Sequence, residues 1–235
     1  MQVVRTEFEL ARAPGQLRPM PARLARAVDI DEHLAGGTLR NFEARSHVFT
    51  EGDAKNFVYN VVTGAVCLYK ILPDGRRQVF DFAFPGDLIG LGFGHVEVFN
   101  AQATKATRVK CLPVALLRKA ASEDARVALK LCDALTKELT ALREHLVSVG
   151  QRTATERLVT FLLTLSRRNE AKGGDPTTIS LPMTRYDIGD FLGMTIETVS
   201  RTFTKLKAAR VIASDHSSTI RLTDIDRLQT MANAR

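Results

Sequence analysis

The pattern of apolar and polar positions changes along the chain, and its first regular part predicts β-structure. From Phe42 to about Leu117, short runs rich in β-branched and aromatic residues alternate with turn sequences. The runs are SHVFT, FVYNVVTGAVCLYKIL, RRQVFDFAF and ATRVKCLPVALL, and the turns are EGD, TG, PDG and PGD. Short strands separated by such turns are typical of an antiparallel sandwich or barrel.

A long helix is predicted from about Ser122, where the strand pattern ends. Its apolar residues recur at alternating steps of four and three, which is the spacing of helices that pair along a seam. The predicted seam consists of Leu135, Leu139, Leu142, Leu146 and Val149. The same spacing extended backwards places Cys132 near it. We therefore predict a homodimer; the alternative is a helix that covers its own barrel.

A break at Gly150 separates this helix from a shorter amphipathic one, predicted from Thr153 to Ser166. Its apolar positions are Leu158, Phe161, Leu162 and Leu165. A polar loop over residues 169–178 and the strand-like TISLP follow. Near the C-terminus, RVIAS and STIRLTD predict two strands of a wing, joined by residues 215–217.

The segment from Thr184 to Ala209 has the pattern of a helix-turn-helix. Thr184 is a candidate N-cap, and Gly193 is expected to make the turn. Thr195 is expected to cap the second helix. The first helix has an apolar face formed by Ile188, Phe191 and Leu192. The second helix has an apolar face that should pack on the first, formed by Val199, Phe203 and Leu206.

Glu197, Ser200 and Arg201 lie on the face of the second helix that points away from its apolar residues. In the major groove, arginine donates two hydrogen bonds to guanine and glutamate accepts one from the amino group of cytosine, while serine bonds to several bases. We therefore predict that these three residues read DNA bases. The alternative is an ordinary i, i+4 ion pair between Glu197 and Arg201 on a solvated helix.

Other residues of this segment are suited to the DNA backbone or groove. Several threonines lie near helix ends, where a docked helix meets phosphates, and the stretch from Arg201 to Arg210 contains basic residues but no acidic one. The predicted backbone or groove contacts are Thr184, Arg185, Thr195, Ile196, Thr198 and Lys205.

Composition agrees with a polyanionic partner. The chain has 235 residues and a formal net charge of +7. No apolar run approaches the roughly 20 residues of a membrane span, and the N-terminus lacks the apolar core of a signal peptide, so a cytoplasmic protein with no membrane partner is expected. The 3 cysteines have no CxxC spacing and the 5 histidines form no cluster in sequence, so no metal site is predicted.

The predicted fold class is α+β, with four parts. Residues 1–35 form an N-terminal arm that combines prolines with arginines. Residues 36–120 form the antiparallel β-barrel and residues 121–150 the dimerisation helix. Residues 151–235 form a winged helix-turn-helix, which is the predicted DNA-binding domain.

In this order of parts the chain resembles the CRP/FNR family of bacterial transcription regulators over about residues 36–230. FPGDLIGLG resembles the cyclic-nucleotide-fold signature of that family, and LPMTRYDIGDFLGMTIETVSRTFTKL is similar to its DNA-reading motif. The cAMP-responsive branch carries R-E-x-x-G-R in this motif. The E-x-x-S-R pattern formed here by Glu197, Ser200 and Arg201 resembles the FNR and FixK branch instead. Glycines also fall where the family turns its strands, at Gly52, Gly64, Gly75 and Gly86.

The resemblance implies a barrel of the cyclic-nucleotide-binding jelly-roll type and DNA sites of the form TTGAT, four spacer bases, ATCAA. It places Arg201 on guanine, Glu197 on the opposite strand and Ser200 beside a thymine, with Ile196 at a thymine methyl or in the core. It also implies a homodimer that recruits RNA polymerase and activates low-oxygen, nitrogen-fixation or denitrification genes.

At the positions where the family binds a cyclic-nucleotide effector, this chain lacks the binding residues. Where the family places a carboxylate for the ribose and an Arg-Ser pair for the phosphate, the chain has Leu91, Ala101 and Gln102. A phosphate there would be buried without a partner, so we expect no functional cAMP binding. An iron-sulfur cluster needs four thiolates, and the arm has no cysteine, so Cys111 at the family's central cysteine position is expected to be a buried strand residue.

These absences favour the FixK-like branch, whose members generally work without a bound effector, so no cofactor is expected. Cys132 is the best candidate for a redox-sensitive residue because of its place near the seam. One alternative is a haem-dependent nitric oxide or CO sensor on the same scaffold, with His33, His95 or Cys67 as conceivable ligands. An alternative of another class is a cupin-type enzyme, which the absence of His and Glu ligands on the predicted strands disfavours.

Overall fold

The structure is a computed structural model that describes residues 37–233 except residues 93 and 217. The predicted arm, residues 1–35 with His33, lies outside the described residues. The strands are β1 (Thr38–Phe42), β2 (His47–Phe49), β3 (Phe57–Thr63), β4 (Val66–Ile71), β5 (Arg77–Ala83), β6 (Leu88–Ile89), β7 (Asn100–Ala103), β8 (Thr107–Pro113), β9 (Thr178–Ser180), β10 (Ile212–His216) and β11 (Thr219–Leu222). The helices are α1 (Val114–Glu123), α2 (Ala125–Gln151), α3 (Ala154–Ala171), α4 (Arg185–Leu192), α5 (Ile196–Ala208) and α6 (Ile225–Ala232).

The N-terminal strands form two antiparallel sheets, which confirms the predicted jelly-roll architecture. One sheet has the order β1-β8-β3-β6 and the other β2-β7-β4-β5. No ladder of hydrogen bonds joins the sheets to each other in the part of the chain that the structure describes, so the predicted barrel is a sandwich with open edges. Its interior contains apolar side chains from both sheets, among them Val61, Val66, Ala101 and Val109.

The last predicted strand was too long. The run ATRVKCLPVALL continues as a strand only to Pro113, and Val114 begins α1. A helix rather than a strand follows because the proline lacks an N–H for the sheet and its φ of −56° suits a helix start. Asp124 then breaks the helical region and caps α2 by accepting a hydrogen bond from the Arg126 backbone N–H.

Helix α2 has different partners on different faces. Its N-terminal half packs through Val127 and Leu131 on α1 and the end of the sandwich. Three residues of the predicted seam, Leu135, Leu139 and Leu146, are 44%, 48% and 69% exposed. These leucines therefore do not pack on the chain's own sandwich. The alternative to a seam, a helix that covers its own barrel, would require such packing.

The C-terminal part is a winged helix-turn-helix, as predicted. The sheet β10-β11-β9 is antiparallel, and α3 packs against α5 and α6. Helix α3 runs five residues beyond the predicted Ser166, to Ala171. The predicted wing turn at residues 215–217 was placed too early, since β10 continues to His216 and His216 pairs with Thr219.

One apolar core extends from the sandwich into the helix-turn-helix. It joins Val79 and Phe82 of β5 to Phe161 and Leu162 of α3 and to Ile188 of α4. The ring centroids of Phe82 and Phe161 are 6.2 Å apart. Because apolar burial is the main source of stability, this shared core fixes the two parts against each other. Of the described helices, none is long and apolar enough to cross a membrane.

The turn between β3 and β4 generates a stability prediction. Gly64 has φ +93°, and an added Cβ would lie 2.3 Å from the Thr107 Oγ1 and 2.6 Å from the Thr107 Cα. Gly64→Ala should therefore lower the free energy of unfolding by more than the roughly 1–2 kcal/mol of a left-handed backbone alone. Gly75→Ala is the matched control, because Gly75 has φ +83° but nothing within 4 Å. Equal losses for both variants in denaturant unfolding would contradict the predicted clash.

Candidate nucleic-acid interface

The first helix of the candidate interface, α4, begins with a reciprocal cap. The Thr184 hydroxyl accepts a hydrogen bond from the Asp187 backbone N–H, and the Asp187 carboxylate accepts one from the Thr184 backbone N–H. This capping box satisfies donors that the first turn of a helix otherwise leaves without partners. It confirms Thr184 as the N-cap and Arg185 as the first helical residue.

The turn after α4 is fixed by a glycine and by an arginine from α3. Gly193 adopts the left-handed conformation, with φ 63° and ψ 45°, which ends the helix as predicted. The Arg157 guanidinium donates hydrogen bonds to the carbonyl oxygens of Leu192, at 3.0 Å, and Arg152, at 2.8 Å. A cation at a helix C-terminus also complements the helix dipole.

The second helix, α5, buries one face and exposes the other. The Thr195 hydroxyl accepts a hydrogen bond from the Thr198 backbone N–H, which confirms the predicted cap. The predicted apolar face is buried at Val199, Phe203 and Leu206. The buried face fixes the rotation of the helix about its own axis.

The three predicted base-reading residues, Glu197, Ser200 and Arg201, are all exposed and lie together on the opposite face of α5. Hydrogen bonds from its own backbone N–H and from Thr195 lower the pKa of Glu197, so this carboxylate is ionised at neutral pH. The Arg201 charge also lowers the pKa of Glu197, but no ion pair within 4.0 Å joins these two described residues. Both side chains are therefore accessible to a ligand on this face.

The predicted backbone-contact residues lie around this face in different environments. Lys205 is exposed in the last turn of α5, and Ile196 is 42% exposed at its start. The Thr198 hydroxyl lies 3.2 Å from that of Thr195. Arg185 instead stacks on the Phe203 ring, with its guanidinium carbon 3.3 Å from the ring centroid, and burial lowers its pKa. Arg185 thus joins α4 to α5, and its contact with DNA stays a prediction.

Sequence reasoning missed the residues that fix α4 to the sandwich. The Arg77 guanidinium of β5 lies 2.6 Å from the Asp187 carboxylate and 3.2 Å from that of Asp190. The motif T-x-x-D at Thr184 could have identified Asp187 as a capping residue. Its second partner lies 110 residues away in sequence, and no local pattern could have indicated it.

The positions at which the family would hold a cyclic nucleotide carry groups that do not suit a phosphate or a ribose. Ala101 is fully buried in the sandwich, and Leu91 packs against the apolar cluster formed by α1, the first part of α2 and the end of the sandwich. The Gln102 amide donates a hydrogen bond to the Arg45 carbonyl oxygen at 2.8 Å. The cAMP prediction stays a prediction, and these side chains agree with it.

A buried ion pair that the sequence did not reveal lies in the same region. The Lys55 ammonium is 2.8 Å from the Glu97 carboxylate, with only 5% and 1% of the side chains exposed. Backbone hydrogen bonds join the same two loops, because the Gly52 N–H donates to the Glu97 carbonyl oxygen and the Glu97 N–H donates to the Asp53 carbonyl oxygen. The pair and these bonds hold the loop before β7 against the loop before β3.

The cysteines differ in accessibility. Cys67 and Cys111 are buried, and burial raises the pKa of both thiols, that of Cys67 to about 12. Cys111 lies in β8 as the predicted buried strand residue. Cys132 is exposed on α2, as its candidate redox role requires, and that role stays a prediction. Within residues 37–233, apart from the gaps, no group of three or more His, Cys, Asp or Glu side chains could hold a metal ion.

A sandwich of the cyclic-nucleotide-binding type, followed by long helices and a winged helix-turn-helix with an exposed polar face, defines a class of DNA-binding transcription regulators. Two family models agree with this division: a cyclic nucleotide-binding domain matches residues 39–124 and a Crp-like helix-turn-helix domain matches residues 156–231.

The chain belongs to the CRP/FNR family of transcription regulators. It is 40% identical to a nitrogen fixation regulation protein FixK of Bradyrhizobium diazoefficiens, over 86% of this chain and 84% of the relative. It is 36% identical to the FixK protein of Azorhizobium caulinodans, over 94% and 95%. The structure of FixK2 from Bradyrhizobium japonicum superposes with a TM-score of 0.79 at 37% identity, covering 85% of this chain and 98% of that one. The family consists of regulators rather than cupin-type enzymes, which removes that alternative.

The buried ion pair generates the second stability prediction. Lys55→Met should leave the Glu97 carboxylate buried without a counter-ion and lower the free energy of unfolding by about 3–5 kcal/mol. Lys55→Met/Glu97→Leu should recover most of this loss, because an apolar pair needs no counter-charge.

Lys70→Met is the matched control, since Lys70 lies 3.0 Å from Glu51 but both side chains are largely exposed. Its effect should be at most about 1 kcal/mol. Chemical denaturation of the four proteins measures these differences. A Lys55→Met variant as stable as Lys70→Met would contradict the burial argument.

Proposed function

We propose that this protein is a homodimeric, FixK-like activator that reads a TTGAT/ATCAA palindrome without a bound cyclic nucleotide or iron-sulfur cluster. The observation that carries the proposal is the exposed trio of Glu197, Ser200 and Arg201 on a helix whose opposite face is buried. A helix held in this way presents a fixed set of donors and acceptors to the major groove.

Base reading assigns a chemical role to each member of the trio. Arg201 donates two hydrogen bonds to guanine, Glu197 accepts from the amino group of a cytosine on the opposite strand, and Ser200 lies beside a thymine. The lowered pKa of Glu197 supports the acceptor role, because an ionised carboxylate has no proton to donate. Ile196, 42% exposed at the edge of this face, is suited to contact with a thymine methyl group.

Backbone contacts position the helix on the duplex. Thr184 and Thr195 lie at the N-termini of α4 and α5, where helix dipoles favour phosphate. Thr198 stands beside Thr195, and Lys205 supplies a positive charge at the other end of α5. Arg185 stays stacked on Phe203 in this arrangement and reaches a phosphate only with the part of its guanidinium that faces outward.

The exposed leucines of α2 support the homodimer. Leu135, Leu139 and Leu146 form the heptad face, Leu142 is half-buried between them, and Val149 at its end packs near Gly193. Pairing of this face with a second copy removes the leucines from water. A dimer also places two reading helices about one helical turn apart, roughly 34 Å, so that they meet successive major grooves.

The biological role is inferred from the relatives. The FixK proteins of Bradyrhizobium diazoefficiens and Azorhizobium caulinodans bear the name nitrogen fixation regulation protein. This supports control of nitrogen-fixation or other low-oxygen genes by the present protein. An activator of this kind recruits RNA polymerase through exposed surfaces of the sandwich and the C-terminal domain. The residues at the family's nucleotide-binding positions favour activity that is controlled by the amount of protein rather than by an effector.

Arg201→Ala tests base reading. Loss of the two hydrogen bonds to guanine should weaken binding to the palindrome by about 1–3 kcal/mol and relax discrimination at that base. Fluorescence anisotropy of aerobically purified, cofactor-free protein on the palindrome, on a duplex with the guanine replaced and on a scrambled duplex measures both effects.

The matched control is Lys205→Ala on the same helix. Removal of a phosphate contact should weaken binding to all three duplexes alike and reduce the salt dependence by about one ion. If Arg201→Ala also lost affinity equally on every duplex, its base-reading role would be wrong. If the wild-type protein did not prefer the palindrome, the proposed site or the effector-free state would be wrong.

Leu139→Arg tests the dimer. Two arginines facing each other across the seam would repel and lose apolar burial, so the variant should be a monomer with weakened binding to the palindrome. Val147→Arg is the control, because Val147 is 60% exposed on α2 and takes the b position of the heptad, on the side away from the seam. Light scattering after size-exclusion chromatography gives the masses. A dimeric Leu139→Arg variant would show that the interface lies elsewhere.

A further inference from the structure

The ion-pair cluster of Arg77, Asp187 and Asp190 joins the sandwich to the first helix of the helix-turn-helix. Arg77 uses one terminal nitrogen for both carboxylates, at 2.6 Å and 3.2 Å, and the other for the Cys67 sulfur at 3.1 Å. Its guanidinium carbon lies 4.3 Å from the centroid of the Tyr69 ring. The side chains of Arg77, Asp187 and Asp190 are 15–17% exposed. These contacts hold the guanidinium in a single orientation.

Asp187 connects this cluster to the cap of α4. One carboxylate oxygen accepts hydrogen bonds from the Thr184 N–H and hydroxyl, and the other accepts the bond from Arg77. Burial acts to raise the pKa of Asp187, but the bonds from Arg77 and Thr184 outweigh it and lower the pKa. The ionised carboxylate therefore fastens the beginning of α4 to a strand of the sandwich.

Helix α4 is connected to α5 by the turn between them and by side-chain contacts. Helices α4 and α5 are joined by the Gly193 turn, and Arg185 of α4 stacks on Phe203 of α5. Two further contacts join β5 to α4. The Gln78 amide donates to the Asp190 carbonyl oxygen at 2.8 Å, and the Phe82 and Phe191 ring centroids are 5.3 Å apart. Side-chain contacts thus link β5 to α4 and α4 to α5.

We propose that Arg77 is a positioning residue for DNA reading: it fixes the orientation of α4 and α5 relative to the sandwich and thereby the geometry of the paired reading helices in the dimer. A buried ion pair contributes little net stability compared with apolar packing, but its direction-dependent hydrogen bonds select one arrangement. The inference rests on the proposed palindrome-reading function. Under that function, it accounts for a fixed reading geometry without a bound effector.

The spacing of half-sites is the readout that separates positioning from stability. A dimer with fixed reading helices binds well at only one spacing, whereas loosened helices are competent in a smaller fraction of molecules and tolerate other spacings. Arg77→Met should weaken binding to the palindrome with four spacer bases at least ten-fold. It should also reduce the preference for this spacer over spacers one or two bases longer. Binding to a single half-site should change much less.

Arg76→Met is the matched control, because the neighbouring Arg76 is exposed and pairs with Asp74 within the same turn. It should leave affinity and spacing preference unchanged. Asp190→Asn is a second test variant, since it removes one carboxylate from the cluster but leaves the Asp187 cap intact. It should reduce the spacing preference in the same direction by a smaller factor. Circular dichroism melting confirms that each variant is folded at the assay temperature.

Anisotropy titrations of full-length wild-type and variant proteins on the three spacers and the half-site decide the question. A wild-type protein that prefers four spacer bases, with the preference lost in Arg77→Met and reduced in Asp190→Asn, supports the inference. An unchanged preference in either folded variant overturns it and leaves the proposed function intact. Should Arg77→Met not fold, Asp190→Asn decides alone. A wild-type protein without selectivity for the palindrome would instead count against the proposed function.

Discussion

Helix α4 has only eight residues and depends on side chains from outside itself at both ends. Helices of this length are not stable alone in water, so their position is set by what they contact. At its start, Asp187 is shared between the Thr184 cap and Arg77 of the sandwich. At its end, Arg157 of α3 donates to the Leu192 carbonyl. Because α5 packs on α4, these two arginines contribute to the direction of the exposed face of α5.

The faces of α2 show how the same helix can serve the chain and a partner. Its inner face packs through Leu131 near one end, and near the other His145 stacks on Phe191 of α4, with ring centroids 4.1 Å apart. The heptad leucines lie on another face and are exposed in the single chain. In a dimer formed by that face, the two copies of α2 have a fixed relative position. The two copies of α4, which pack on α2, then have one as well. In the proposed dimer, the seam and the cluster at Arg77 therefore constrain the same reading geometry from different directions.

Local patterns in the sequence predicted the helix-turn-helix almost completely, because caps, turns and apolar periodicity act over a few residues. Thr184 and Thr195 cap their helices, and Gly193 makes the turn, as predicted. Helix α1 was missed because the apolar run that continues past Pro113 suits a strand as well as a helix. Contacts between distant residues, such as Lys55 with Glu97 and Arg77 with Asp187, were also missed. They depend on how the sheets and domains pack, and a charged residue in the sequence gives no sign of its partner.

Two ion pairs with little exposed surface connect separate parts of the chain. The Lys55–Glu97 pair holds two loops of the sandwich, and the Lys55 charge also acts on Glu138 of α2, opposing the rise in its pKa caused by burial. Arg77 then holds the sandwich to α4. Under the proposed effector-free function, these fixed side-chain charges join the loops of the sandwich to each other and the sandwich to α4.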